Sequence, residues 1–168
     1  MIRINTILFT LLLTTNVYAW EGIVVHHSAT EHGTVESIDT YHKSKGWDGI
    51  GYHYIVHKNG LIEVGRDINK VGAHAKGRNK THIGVCLIGK DLFTAKQIKS
   101  LEVLVKVLVS QYGVSLPEKH HRFCPGEGLD IETINRRIQD ELRQREKPGH
   151  TNYGSYEKGS SRDSRTSS

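Results

Sequence analysis

The run IGVCLI at positions 83–88 constrains the fold more than any other stretch of this sequence, because it is almost wholly apolar. Its length suits a strand, and an apolar strand without alternation is buried on both faces in the middle of a sheet. Sheets of that kind are covered by helices. The run therefore predicts a central strand in a helix-covered sheet.

The other apolar runs predict strands beside it. GIVVH at 22–26 is β-branched and predicts a buried strand that ends at histidines. GYHYIVH at 51–57 and LIEVG at 61–65 flank an Asn-Gly pair, which supplies the positive φ angles of a hairpin turn.

Three helices are predicted from caps and from the 3.6-residue period. Thr34 is an N-cap for a helix that ends at Gly46. Thr94 and Gln97 form a capping box for a long helix to about Tyr112, and a last helix covers about 131–145. Together these segments predict an α/β fold with a single mixed central β-sheet flanked by helices.

The N-terminus is typical of a cleaved secretory signal. Arg3 precedes an apolar run at 7–13, and small residues occupy the positions that signal peptidase reads before a cut after Ala19. The apolar run is too short for a transmembrane anchor, and no later stretch is a candidate. We expect a secreted or periplasmic protein with one domain at 20–147 and a disordered Gly/Ser-rich tail at 148–168.

Charge says little about the partner. The formal net charge of +5 is spread along the chain, and it falls to +4 when the signal segment with Arg3 is removed. This is too diffuse to indicate nucleic acid, which export also makes an improbable target. We expect a monomer that binds no nucleic acid.

The segment HHRFCPG at 120–126 raises the question of what Cys124 does. Export to an oxidising compartment allows a disulfide with Cys86, the only other cysteine. Cys124 could also be an ordinary buried thiol, or a thiolate that binds metal with a histidine neighbour. These residues alone leave all three interpretations open.

Histidines gather at three places: His26 with His27 at a strand end, His74 in GAHAKG, and His120 with His121 before Cys124. Zinc favours imidazole nitrogen and thiolate sulfur, and a catalytic zinc site has three protein ligands and one position left for water. A His–His–Cys set from two distant segments would supply this. Spacing alone does not separate it from surface or core histidines.

Seven motifs carry a family resemblance: VHHSAT, YHKSKGW, IGYHYIVHKNG, VGRD, GAHAKG, NKTHIGVCLIG and CPG. In order and approximate spacing they resemble the type-2 N-acetylmuramoyl-L-alanine amidases, above all the small phage lysozymes, and the related peptidoglycan recognition proteins. The resemblance covers about residues 23–130. It implies a zinc hydrolase that degrades cell walls by cutting the amide between N-acetylmuramic acid and L-alanine in peptidoglycan. The alternative is a non-catalytic peptidoglycan-binding module of the same fold.

The resemblance also implies roles for single residues. His26 matches the first zinc ligand and Cys124 the cysteine ligand, which leaves Cys86 as a core residue. Tyr52 matches the tyrosine beside the metal-bound water. Three further residues are expected to contact substrate: His53, His74 and Asn79. One of the two histidines, His53 or His74, is also expected to protonate the leaving amine.

The sequence departs from the family pattern before the ligand cysteine, where the loop is shorter. His120 lies four positions before Cys124 and His121 three before it. The doubled histidine favours His120 as the second histidine ligand, whereas alignment on the His-Arg pair favours His121; we predict His120. Arg122 replaces a lysine and offers a fixed charge to an oxyanion, although it cannot donate a proton as a lysine can. His82 stands where relatives usually carry serine.

Overall fold

The computed structural model describes residues 19–146, so that the predicted signal peptide before Ala19 and the predicted tail at 148–168 lie outside the described residues. The described chain contains five strands and three helices. They are β1 (Gly22–His27), α1 (Val35–Ser44), β2 (Tyr54–Val56), β3 (Ile62–Val64), β4 (His82–Leu87), α2 (Ala95–Tyr112), β5 (Glu118–Lys119) and α3 (Ile131–Glu146).

The five strands form one mixed sheet in the order β3-β2-β4-β1-β5. β1 runs parallel to both β4 and β5, β2 runs parallel to β4, and β2 and β3 form an antiparallel hairpin. All six residues of the middle strand, β4, are buried. The predicted fold class and its buried central strand are confirmed, although that strand begins at His82 and ends at Leu87.

Helices cover both faces of the sheet because successive strand residues point to opposite sides. On one face, Val25 and Val85 pack with apolar residues of α2 and α3. On the other face, Cys86 and Ile55 pack with residues of α1 and of the segment before β2. His26 pairs in register with Cys86, so it belongs to the α1 face.

Helix starts agree with the sequence pattern. Thr94 and Gln97 form the predicted capping box at α2, in which each side chain bonds the other residue's backbone N–H. Thr34 caps α1 as predicted, and Ser37 completes a second box there. No helix within residues 19–146 is long and apolar enough to cross a bilayer.

Strand β5, which consists of Glu118–Lys119 alone, was not predicted from the sequence. Two charged residues have no apolar period, so nothing local marks them as a strand. They pair with Val24 and Val25 of β1. This short strand matters because the segment HHRFCPG follows it directly.

Candidate metal centre

The candidate site lies where the parallel strands end. β1 ends at His26 and His27, and the loop after the neighbouring parallel strand β5 begins with His120. Carboxyl ends of parallel strands meet at the same edge of a sheet, which is where open α/β sheets bind ligands. The backbone N–H of His120 donates to the carbonyl of Val25 over 3.2 Å and holds the loop against β1.

The loop from His120 to Cys124 folds back on itself. The N–H of His121 donates to the carbonyl of Cys124 over 3.1 Å, and the N–H of Cys124 donates to the carbonyl of His121 over 3.0 Å. Nδ1 of His121 accepts the N–H of Phe123 over 3.1 Å, so this exposed ring braces the turn. The turn places the Cys124 side chain next to His26 and His27 at the end of β1.

His26, His120 and Cys124 come together as a possible metal-binding group. One ring nitrogen of each histidine and the sulfur of Cys124 all lie within 4.8 Å of one another. Nδ1 of His26 is 3.8 Å from Sγ of Cys124. Ligands of a tetrahedral zinc ion are about 3.5 Å apart, given bonds of about 2.0–2.3 Å. The geometry and the donor types of these three side chains therefore fit zinc.

Burial sets the protonation of this group without metal. His26 is 1% exposed, and burial, followed by the neighbouring histidines, lowers its pKa to about 2. Its imidazole is therefore neutral at neutral pH, as a metal ligand must be. Burial raises the pKa of the Cys124 thiol. Metal binding would deprotonate that thiol and release a proton.

Both cysteines of the chain are free, so the disulfide considered from the sequence is not formed. Cys86 is fully buried in the α1-face cluster beside Ile55 and Ile88. Cys124 is 7% exposed, and its sulfur also lies 3.5 Å from Nδ1 of His27. The only feature of the sequence that pointed to the contact between Cys124 and His27 was the adjacent pair of histidines in VHHSAT.

His74 and Asn79, which the sequence predicts to contact substrate, both have side-chain atoms bonded to neighbouring protein atoms. Both ring nitrogens of His74 contact protein atoms: Nδ1 lies 3.0 Å from Nε2 of His26, and Nε2 lies 3.0 Å from the carbonyl oxygen of His82. Oδ1 of Asn79 accepts the N–H groups of His74 and Ala75, each over 2.8 Å. These atoms support His26 and its neighbouring loop, and the predicted substrate contact of the two residues stays a prediction.

His53, which was also expected to contact substrate, is buried with both ring nitrogens hydrogen-bonded. The side chain is 0% exposed. Nδ1 accepts the N–H of Gly84 over 2.9 Å, and Nε2 donates to the carbonyl of Lys70 over 3.1 Å. Burial lowers the pKa of His53 to about 4, which keeps the ring neutral. His53 therefore joins β4 to the segment after β3, and it has no free atom with which to protonate a leaving amine.

Tyr52 lies beside the three-residue group, where its ring centroid is 5.0 Å from that of His26. Burial raises the pKa of the Tyr52 hydroxyl far above its usual value, so the hydroxyl stays a hydrogen-bond donor. A cleft of about 530 Å³ opens from Tyr52 toward α1 and the loop after β1. Its lining includes Ser28, His32, Tyr41 and His42.

His42 supports this wall of the cleft and was not among the predicted site residues. It is 5% exposed, Nδ1 accepts the N–H of Gly51 over 3.0 Å, and its ring lies 5.4 Å from that of Tyr52. His42 lies in the helix that the sequence predicted from the Thr34 cap to Gly46, but no role was predicted for it. Its contact with Tyr52 spans two elements and has no local signal.

Arg122 lies on the exposed surface of the loop. Its guanidinium carbon is 5.3 Å from the centre of the Phe123 ring. No hydrogen bond or ion pair joins it to His26, His120 or Cys124 within the described chain. Its predicted contact with an oxyanion stays a prediction.

Comparison with known proteins adds a family match. The model of a family described as N-acetylmuramoyl-L-alanine amidase matches residues 16–140. This stretch contains every strand of the sheet, the cleft and the three residues of the possible metal-binding group.

Individual relatives agree in sequence and in structure. The chain is 40% identical over 116 residues to the endolysin of Enterobacteria phage T3, which covers 62% of this chain and 77% of the endolysin. The amidase LysC from Clostridium intestinale has 32% identity and a TM-score of 0.70, covering 74% of this chain and 89% of LysC. A Drosophila PGRP-LB mutant in complex with tracheal cytotoxin has 25% identity and a TM-score of 0.60, and the match covers 67% of this chain and 79% of the PGRP-LB chain.

Proposed function

The chain belongs to the N-acetylmuramoyl-L-alanine amidase family, and we propose that its amide hydrolysis depends on zinc held by His26, His120 and Cys124. The observation that carries the proposal is the convergence of their three ligand atoms within 4.8 Å at the carboxyl edge of the sheet. Two imidazoles and a thiolate are a common ligand set of catalytic zinc, in which a fourth position stays open.

When bound, zinc would activate a water molecule and polarise the scissile carbonyl. The protein's part is to present three neutral or deprotonated ligands at fixed positions. His26 is fixed by burial at the end of β1, whereas His120 is exposed and faces it from the loop after β5. Cys124 is fixed by the backbone hydrogen bonds with His121.

We assign the stabilisation of the developing oxyanion to Tyr52. Its hydroxyl remains protonated, so it can donate a hydrogen bond to an oxygen that gains negative charge. Its ring stands between His26 and the cleft, next to the place where a substrate carbonyl would approach the ligands. Because Tyr52 is largely buried, a hydrogen bond from its hydroxyl to the oxyanion would stabilise the transition state more than the same bond in water.

The substrate is peptidoglycan, and we propose that the cleft beside Tyr52 receives the chain that flanks the scissile amide. It is walled by the loop after β1 and by α1, and it opens directly at Tyr52. Its mixture of hydroxyl, imidazole and aromatic groups suits a ligand with amide and sugar hydroxyl groups. Support comes from the Drosophila PGRP-LB mutant, whose structure is a complex with tracheal cytotoxin.

The proposal is tested by digesting purified sacculi and identifying the new chain ends. We expect free L-alanine amino termini and uncut glycan strands, loss of digestion with a chelator, and recovery with zinc. Tyr52→Phe is the matched variant, since it removes one hydroxyl: it should bind zinc normally and digest about 10²–10³-fold more slowly.

Two outcomes contradict the proposal. New reducing sugar ends without new amino termini would mean that the enzyme cuts glycan. Full digestion by metal-free protein would exclude zinc from the reaction.

A further inference from the structure

We propose that His74 is a positioning residue that fixes the tautomer of His26 and so aims a lone pair at the metal site. The inference rests on the metal site proposed above. It concerns a side chain that the sequence placed in the substrate groove and that the structure places behind a ligand.

The backbone carbonyl of His82 determines which ring nitrogens donate in the two hydrogen bonds that join His82, His74 and His26. Nε2 of His74 lies 3.0 Å from the carbonyl oxygen of His82. A carbonyl oxygen only accepts, so Nε2 of His74 carries the ring's hydrogen. A neutral imidazole has one N–H, which leaves Nδ1 of His74 as an acceptor.

The acceptor Nδ1 of His74 in turn fixes which ring nitrogen of His26 carries a hydrogen. Nε2 of His26 lies 3.0 Å from the acceptor Nδ1 of His74, so Nε2 of His26 carries the hydrogen and donates it. Nδ1 of His26 is thereby left with its lone pair. That atom is the one that faces Sγ of Cys124, at 3.8 Å. The backbone carbonyl of His82 thus sets, through two rings, which nitrogen reaches the metal site.

The surroundings hold the His74 ring in this place. A Cβ atom at Gly72 or at Gly84 would each lie 2.5 Å from Cδ2 of His74, so both positions must lack a side chain for the ring to fit. Oδ1 of Asn79 takes the backbone N–H groups of His74 and Ala75, which fixes the loop from which the ring projects. The motif GAHAKGRN therefore holds one ring against β4.

This role differs measurably from a substrate contact. A histidine that donates or accepts behind a metal ligand typically changes metal affinity about 10–100-fold when it is lost. A histidine that touches only substrate changes KM and leaves metal affinity alone. Both ring nitrogens of His74 are already engaged with His26 and His82.

The test measures zinc affinity by competition with a chromophoric chelator, without substrate. His74→Leu, which fills space but has no acceptor, should bind zinc about 10–100-fold more weakly than the parent. His74→Asn should recover part of that loss, because its amide oxygen can stand near the position of Nδ1. His82→Ala is the matched control: it keeps the backbone carbonyl, and its zinc affinity should match the parent's.

The failure of this inference can be told from failure of the zinc proposal. A parent protein that binds no zinc contradicts the proposed function. A parent that binds zinc, together with a His74→Leu variant that binds it equally tightly, overturns the positioning role alone. If His74→Leu does not fold, long-range ¹H–¹⁵N spectra of the metal-free parent decide: they should show His26 protonated at Nε2, and protonation at Nδ1 would overturn the inference.

Discussion

Two cysteines with opposite surroundings define the chemistry at the scale of single residues. Cys86 is buried in β4 among apolar side chains, and burial raises the pKa of its thiol well above the usual value. Cys124 faces Nδ1 atoms of His26 and His27 at 3.8 and 3.5 Å. The thiolate is the form of cysteine that binds metal, and of the two cysteines Cys124 is the one with imidazole nitrogens beside its sulfur, whereas Sγ of Cys86 contacts the carbonyl of Leu87.

Substituting the two cysteines should therefore have different consequences. We expect Cys124→Ala to lose zinc and activity together, because a three-ligand site does not survive the loss of one ligand. Cys86→Ala should keep both and lower the free energy of unfolding by about 1–2 kcal/mol, the usual cost of a small cavity. Zinc content, digestion rate and urea unfolding of each variant measure this. Equal loss of zinc from both variants, or the absence of free thiols in the denatured parent, would contradict it.

The sequence indicated which residues belong to the site better than it indicated what each of them does. His26, His120 and Cys124 were chosen by chemical type and motif, and the fold brings those three together. The roles of His53 and His74 were not predictable, because a histidine's role depends on the partners of its two ring nitrogens. Those partners include the backbone carbonyls of Lys70 and His82, whose positions follow from the fold and not from residue type.

At the scale of secondary-structure elements, Gln97 joins α2 to the sheet. Its Oε1 accepts the N–H of Thr94 in the capping box. Its Nε2 donates to the carbonyls of Val56 and Ile88 at the ends of β2 and β4, over 3.2 and 2.8 Å. The side chain is 0% exposed. Gln97 thus takes part in the capping box and also hydrogen-bonds backbone carbonyls at the carboxyl ends of two strands.

Gln97→Glu separates these two functions, because a capping box accepts either residue. We expect a loss of about 2–3 kcal/mol in the free energy of unfolding, since a buried carboxylate would face two carbonyl oxygens without a donor. Thr94→Ala removes the cap and the bond from Oγ1 of Thr94 to the carbonyl of Lys58, but it leaves the bonds of Gln97 to Val56 and Ile88, so it should cost about 1–2 kcal/mol. Urea unfolding at pH 7 measures both.

The deficit of Gln97→Glu should also narrow as the pH falls from 7 to 5, because a protonated carboxyl at position 97 can again donate. A variant as stable as the parent at pH 7 would show that the buried bonds of Gln97 contribute nothing.

Elements with caps or periodic apolar residues were predictable, and elements without them were not. Thr34 and Thr94 marked both helix starts, and the apolar run at 83–88 marked the central strand to within one residue. β5 escaped prediction because Glu118–Lys119 becomes a strand only through its pairing with β1. The shortened loop after it was recognised, but its fold-back depends on backbone bonds that no motif specifies.

At the scale of the whole molecule, the core and the site occupy different parts of the fold. The larger apolar cluster lies between the sheet and the two helices α2 and α3. The possible metal group and the cleft lie at the strand ends and on the side of α1. The proposed ligand His120 is exposed and belongs to a loop and not to the core, so replacing it should leave the fold intact. The contribution of metal can therefore be measured on folded protein.

Zinc content of the purified protein, His120→Ala and His121→Ala tests the central claim most directly. His120 belongs to the possible metal-binding group, whereas Nδ1 of the adjacent His121 accepts the N–H of Phe123 within the loop. Elemental analysis should find about one zinc per chain in the parent and in His121→Ala, and almost none in folded His120→Ala. Zinc retained by His120→Ala, or absent from the parent, would contradict the account.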